Sequence, residues 1–73
     1  MLENKKVILC EQDHFYSTIE SPMLRKFVLD QVPTAEIINN VIAVNYSDEG
    51  YCLFEVCWNN DEEICVEFTG TAC

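Results

Sequence analysis

YCLFEVCWNNDEEICVEF, residues 51–68, holds two runs of alternating apolar side chains around a polar centre, and reads as a β-hairpin. Residues 51–58 form its first strand, 59–62 its turn and 63–68 its second strand. Side chains alternate across a strand, so a slip of one residue would exchange the two faces. Placing Val56 opposite Val66, Phe54 opposite Phe68 and Trp58 opposite Ile64 keeps one face apolar. The same register sets Cys57 opposite Cys65 and Glu55 opposite Glu67 on the other face. Directly opposed like charges cost about 0.2–1 kcal/mol relative to a neutral pair. The two glutamates therefore read in one of two ways: as solvated groups on an open face, or as part of a surface for a cationic partner.

Upstream of the hairpin, Ser47-Asp48-Glu49-Gly50 reads as a turn, with Gly50 suited to a positive φ. Before it, residues 37–46 read as a strand. Ile38, Ile42, Val44 and Tyr46 lie on one side of that strand, with Asn39, Val41, Ala43 and Asn45 on the other. Further upstream, Ser21 is a candidate N-cap and Pro22 a first helical residue. The helix runs to Val32 and stops at Pro33. Leu24, Phe27, Val28, Gln31 and Val32 follow the spacing of one buried face, widened by Met23, while Arg25, Lys26, Leu29 and Asp30 lie to the other side. Residues 5–10, KKVILC, read as a strand, and the aromatic and β-branched stretch HFYSTI, residues 14–19, as a second extended piece. The expected architecture is α+β: an antiparallel sheet of four to five strands with one main amphipathic helix packed on it, in a single small acidic domain spanning residues 1–73.

Composition narrows the function. Thirteen carboxylates oppose four basic residues in 73, for a formal net charge of −9. The cations sit in two adjacent pairs, Lys5-Lys6 and Arg25-Lys26, and no positive side chain follows them. Such a chain repels nucleic acid and attracts proteins that bind it. A hydrophobic content of 49% is that of a globular protein, not a disordered one. No signal peptide or membrane-length apolar run is present, so a soluble, cytoplasmic protein is expected. The cysteines are Cys10, Cys52, Cys57, Cys65 and Cys73, an odd number that reads as reduced thiols used as small apolar residues. Without a CxxC pair, and with His14 the sole imidazole, neither a zinc site nor any other cofactor is expected. Gly50 and Gly70 are the only glycines, so a phosphate loop is absent, and the acids at 61–63 lack a calcium-loop pattern. Cys10 and His14 are close in sequence, but nothing local suggests an oxyanion hole. The chain therefore reads as a non-enzyme with a protein partner, engaging neither nucleic acid nor membrane.

Residues 19–24, IESPML, join an extended segment to an amphipathic helix. An extended Glu-Ser, a helix of about three turns, a strand ending at Tyr46 and an acidic turn at Asp48-Glu49 together resemble the phage uracil-DNA glycosylase inhibitors, small acidic proteins that mimic DNA. The resemblance covers residues 18–53. It implies that Glu20 and Ser21 enter the enzyme's DNA-binding cleft in place of phosphate oxygens. It also implies that Met23, Leu24, Phe27 and Val28, with Leu53 from the sheet, form an apolar pocket for the leucine that the glycosylase pushes into DNA. Asp48, Glu49 and Asp61 would face the basic rim of the cleft. Two differences from that family stand in the sequence. Its best-known members carry carboxylates along this helix, where this chain has Arg25, Lys26 and Asp30. They also begin with a helix, where residues 5–10 read as a strand. Two other readings share the charge and size: an anti-CRISPR or anti-restriction DNA mimic, and an immunity protein that neutralises a basic toxin.

Overall fold

In the computed structural model, residues 5–47 and 50–72 are described. The chain order is β1 (Lys6–Cys10), α1 (Gln12–Thr18), α2 (Pro22–Gln31), a 3-10 turn (Val32–Thr34), β2 (Val41–Asn45), β3 (Tyr51–Asn59) and β4 (Glu63–Ala72). The four strands form one mixed sheet in the order β1-β4-β3-β2. β1 runs parallel to β4, while β4, β3 and β2 are antiparallel neighbours. The expected all-antiparallel sheet is corrected at this one pairing. β1 reaches β4 only after the helices and the β2-β3 hairpin have been laid down, a long crossover of the kind that parallel neighbours need.

The helices cover one face of the sheet. Ile42, Val44, Cys52, Phe54, Val56, Ile64, Val66 and Phe68 point into the core from the strands, and Phe15, Ile19, Val28 and Val32 meet them from the helices. Val7 and Leu9 stand in register with Ile64 and Val66, which puts both on this covered face. Phe15, Phe54 and Phe68 form an aromatic centre with ring centroids 5.2–5.7 Å apart in tilted and edge-to-face arrangements.

Residues 14–19 are not extended. They belong to α1 and its C-cap, so the strands number four. Phe15 and Ile19 lie four residues apart, on one side of a helix, and both are buried. That burial outweighs the β preference of the aromatic and β-branched residues around them. Glu11, at φ 51°, makes the sharp break between β1 and α1. The C-terminus of α1 is closed by Arg25. Its Nε donates to the Ile19 carbonyl at 2.6 Å, its Nη2 to the Tyr16 carbonyl at 3.2 Å, and its guanidinium lies 4.3 Å from the Tyr16 ring centroid. A cation on the last carbonyls of a helix is favoured by the helix dipole and by charge-assisted hydrogen bonding.

α2 begins as expected, with the Ser21 Oγ accepting the Leu24 N–H at 3.3 Å and Pro22 in the first turn. Its inward stripe is Leu24, Val28 and Val32, with Leu29 rather than Phe27 beside them. Phe27 is 52% exposed and Met23 83% exposed. The strand expected over 37–46 shortens to β2, because Asn39 and Asn40 take positive φ values of 52° and 68°. Ile38 and Val41 exchange two backbone hydrogen bonds of 3.0 Å around them. Two central residues at positive φ give the turn that matches strand twist, and asparagine tolerates it. Asn40 also ties this turn to β3, donating from Nδ2 to the Val56 carbonyl at 2.8 Å.

Gly50 does not occupy the left-handed region. Its requirement is space: a Cβ there would lie 2.8 Å from the Tyr46 ring and 2.8 Å from the Ser47 Oγ. Asp48 and Glu49 lie outside the described residues.

Candidate interaction surface and thiol cluster

The hairpin register places Val56 opposite Val66, Phe54 opposite Phe68 and Glu55 opposite Glu67, as the apolar pattern requires. It departs at Cys57. A bulge sets Cys57 and Trp58 against Cys65 alone, so Trp58 rather than Cys57 occupies the position opposite Cys65, and Asn59 the position opposite Ile64. Trp58 is thereby kept out of the core and is 43% exposed.

Ten of the thirteen carboxylates lie among the described residues, all except Glu3, Asp48 and Glu49, and none of the ten is buried. Among those residues the only ion pair is Lys26–Asp30, at 2.9 Å on the surface of α2. Lys5 donates instead to the Asn59 side chain at 2.7 Å, and Arg25 is engaged by α1. Three of the four cations are thus occupied locally, and Glu55 and Glu67 are register partners with no ion-pair partner among the described residues.

The residues expected to bind a partner do not form one surface. Glu20 is exposed immediately before α2, and Met23 and Phe27 extend from it as a solvent-facing apolar pair one turn apart. Ser21 is exposed and serves as the cap. Leu24 is half-buried against the core. Val28 is fully buried and has no surface to offer. Leu53 alternates with buried Cys52 and Phe54, so it points to the sheet face opposite the helices and cannot share a pocket with α2. Asp61 is exposed in the β3-β4 turn, where the Asn60 side chain accepts the Glu62 and Glu63 N–H groups at 2.9 and 2.8 Å.

The uncovered face of the sheet carries a cluster that no local sequence spacing announces. Cys10 comes from β1, Cys57 from β3 and Cys65 from β4, and their three sulfurs lie within 4.8 Å of one another. The Cys10 and Cys65 sulfurs are 2.9 Å apart, and Cys57 and Cys10 are 3.9 Å apart. The pattern is built by two register facts. Ile8 stands opposite Cys65 in the parallel pair, which brings Cys10 to the same face one side chain further along. The bulge frees Cys57 from the ladder and lets its sulfur turn toward Cys10. The cysteine contact with Cys10, followed by burial, pushes the Cys65 thiol up to about 12. Desolvation, followed by the contact with Cys10, raises Cys57 as well. A nucleophilic thiol needs the opposite shift. Cys52 behaves as a small core residue, and burial alone pushes its thiol up to about 11.

His14 lies against the Phe68 ring at 5.0 Å, on the helical side of the sheet, and so does not join this cluster. No helix among the described residues is long and apolar enough to cross a membrane. Comparison with family models, with curated proteins and with solved structures returns no match to this chain.

Proposed function

We propose that this protein is a non-enzymatic inhibitor that enters the basic DNA-binding cleft of a host uracil-DNA glycosylase and excludes DNA from it. The observation that supports this reading best is the surface at the start of α2. Exposed Glu20 immediately precedes the capped start of α2, the helix that carries Met23 and Phe27, two large apolar side chains left out of the core. A carboxylate next to an apolar patch suits an enzyme that grips phosphate oxygens while driving an apolar side chain into the base stack. Apart from Asp30, the described carboxylates have no ion-pair partner among the described residues and supply long-range attraction, while three of the four cations are engaged locally. In this reading the apolar contact is an open patch on α2 and not a pocket between helix and sheet. The protein would act in the cytoplasm of the host cell, and Asp61 would contribute to steering from its exposed turn.

The test is uracil excision from a labelled oligonucleotide by a bacterial glycosylase, at low and at moderate salt, with increasing protein. Stoichiometric inhibition is expected, with association slowed by salt and the formed complex persisting through apolar burial. Glu20→Ala, and Met23→Ala with Phe27→Ala, should each weaken inhibition while leaving the fold intact, since all three side chains are exposed. Full inhibition by the triple variant would refute the assignment. Absence of inhibition by the folded wild type, with inhibition of a nuclease instead, would move the target to another DNA-binding protein.

A further inference from the structure

We propose that Cys10, Cys57 and Cys65 form a binding site for one soft divalent metal ion of the zinc class on the uncovered face of the sheet. The proposal does not depend on the inhibitor reading. Three donors from three strands converge within 4.8 Å, a separation that suits sulfurs sharing one ion. Zinc–sulfur bonds of ~2.3 Å in tetrahedral directions set neighbouring sulfurs about 3.8 Å apart. Cys57 and Cys10 already stand at 3.9 Å. Cys10 and Cys65, at 2.9 Å, would need to part by about 0.9 Å to reach that spacing, a change within reach of a small side-chain rotation.

The donor chemistry selects the ion. Thiolates favour zinc, cadmium and copper(I) over magnesium or calcium. The surroundings then favour a divalent ion over a monovalent one. Glu67 stands opposite Cys10 in the parallel register and opposite Glu55 in the antiparallel one, so carboxylates flank the sulfurs on the same face. Among the described residues only these three ligand atoms converge, so water would fill the fourth coordination position. Binding exchanges three thiol protons for the ion: M²⁺ and three R–SH give a complex of charge −1 and three H⁺, with no change in oxidation state. That charge balance would leave the surface anionic. Three sulfurs also separate this reading from a simple disulfide, which would use two of them and leave Cys57 idle.

The experiment uses reduced full-length protein and Cd²⁺ as the probe. A sulfur-to-metal charge-transfer band in the near ultraviolet should rise and saturate at one ion per chain, and a pH indicator should register about three protons released per ion. Zn²⁺ should displace or prevent the signal, whereas Mg²⁺ should not. Cys57→Ser alters an exposed position and should weaken binding by more than the roughly 10–100-fold that loss of a supporting partner costs. Cys10→Ser should do the same, and Cys52→Ala should retain the site. Because Cys65 is buried, Cys65→Ser is interpreted only if circular dichroism shows a folded chain; Cys57→Ser keeps the test decisive without it. No charge-transfer band, an affinity unaffected by Cys57→Ser, or release of fewer than two protons would overturn the proposal. So would recovery of a Cys10–Cys65 disulfide that forms equally well with Cys57 replaced and in the presence of excess Zn²⁺.

Discussion

Glu55→Gln is expected to stabilise this protein. Glu55 and Glu67 are register partners on β3 and β4, both outside the core, and no cation among the described residues bridges them. Opposed side chains in an antiparallel pair have Cβ atoms about 4.5–5.5 Å apart, and a like-charged pair costs about 0.2–1 kcal/mol. Glutamine keeps the side-chain length and removes the charge, so the gain should lie in that range. For a domain of this size a change of 1 kcal/mol moves the melting temperature by about 4–8 °C, which gives an expected rise of about 1–8 °C. Urea unfolding of the wild type, Glu55→Gln, Glu67→Gln and the double variant completes a thermodynamic cycle. The second substitution should add almost nothing to the first, because either one abolishes the repulsion. The gain should also shrink in 1 M salt, where the screening length falls to about 3 Å. Additive single effects, or a gain indifferent to salt, would refute the idea that charge repulsion across these strands is the cause.

Arg25→Ala should destabilise by about 1.5–3 kcal/mol in denaturant unfolding, since it strips charge-assisted hydrogen bonds from the end of α1. Arg25→Lys should recover only part of this, lacking the planar fork that reaches both carbonyls. Ser21→Ala should cost about 0.5–1 kcal/mol as a lost N-cap and leave glycosylase inhibition intact if capping is its whole role. Phe15→Ala should cost about 3–5 kcal/mol and leave the chain largely unfolded, seen as loss of near-ultraviolet circular dichroism. Stability should fall as pH rises above about 9. The folded Cys52 thiol is held up near 11 from 9.0, so the native state binds the proton longer than the unfolded chain. That contribution is fully present below 9 and lost through 11; in Cys52→Ala this part of the alkaline decline should disappear.

The hairpin was legible because burial enforces its alternation: Phe54, Val56, Val66 and Phe68 leave only one register with an apolar face. The cap and start of α2 were equally plain, since Ser21-Pro22 satisfies local backbone needs. What the chain concealed arises from long-range pairing. Residues 14–19 have strand-like composition, and only the position of Phe15 over Phe54 and Phe68 makes them helical. The inward rotation of α2 toward Leu29 depends on where the sheet lies beneath it. The orientation of β1 and the bulge at Cys57 have no local signature, and the thiol cluster exists only through both. One signal was available in retrospect: three cysteines at open-face positions of three apolar strands.

The parallel pairing of β1 with β4 has a consequence for how the protein is made. Lys6 meets Glu63, 57 residues later in the chain. At synthesis rates of about 5–20 residues per second, β1 waits roughly 3–11 seconds on the ribosome before its partner exists. During that interval Val7, Ile8 and Leu9 have no strand to pair with, and the β2-β3 hairpin lacks the central strand that joins it to the rest. Pairing of β1 is therefore a late event in the folding of this domain, and residues 6–10 are the ones most in need of a chaperone until residues 63–67 have been made.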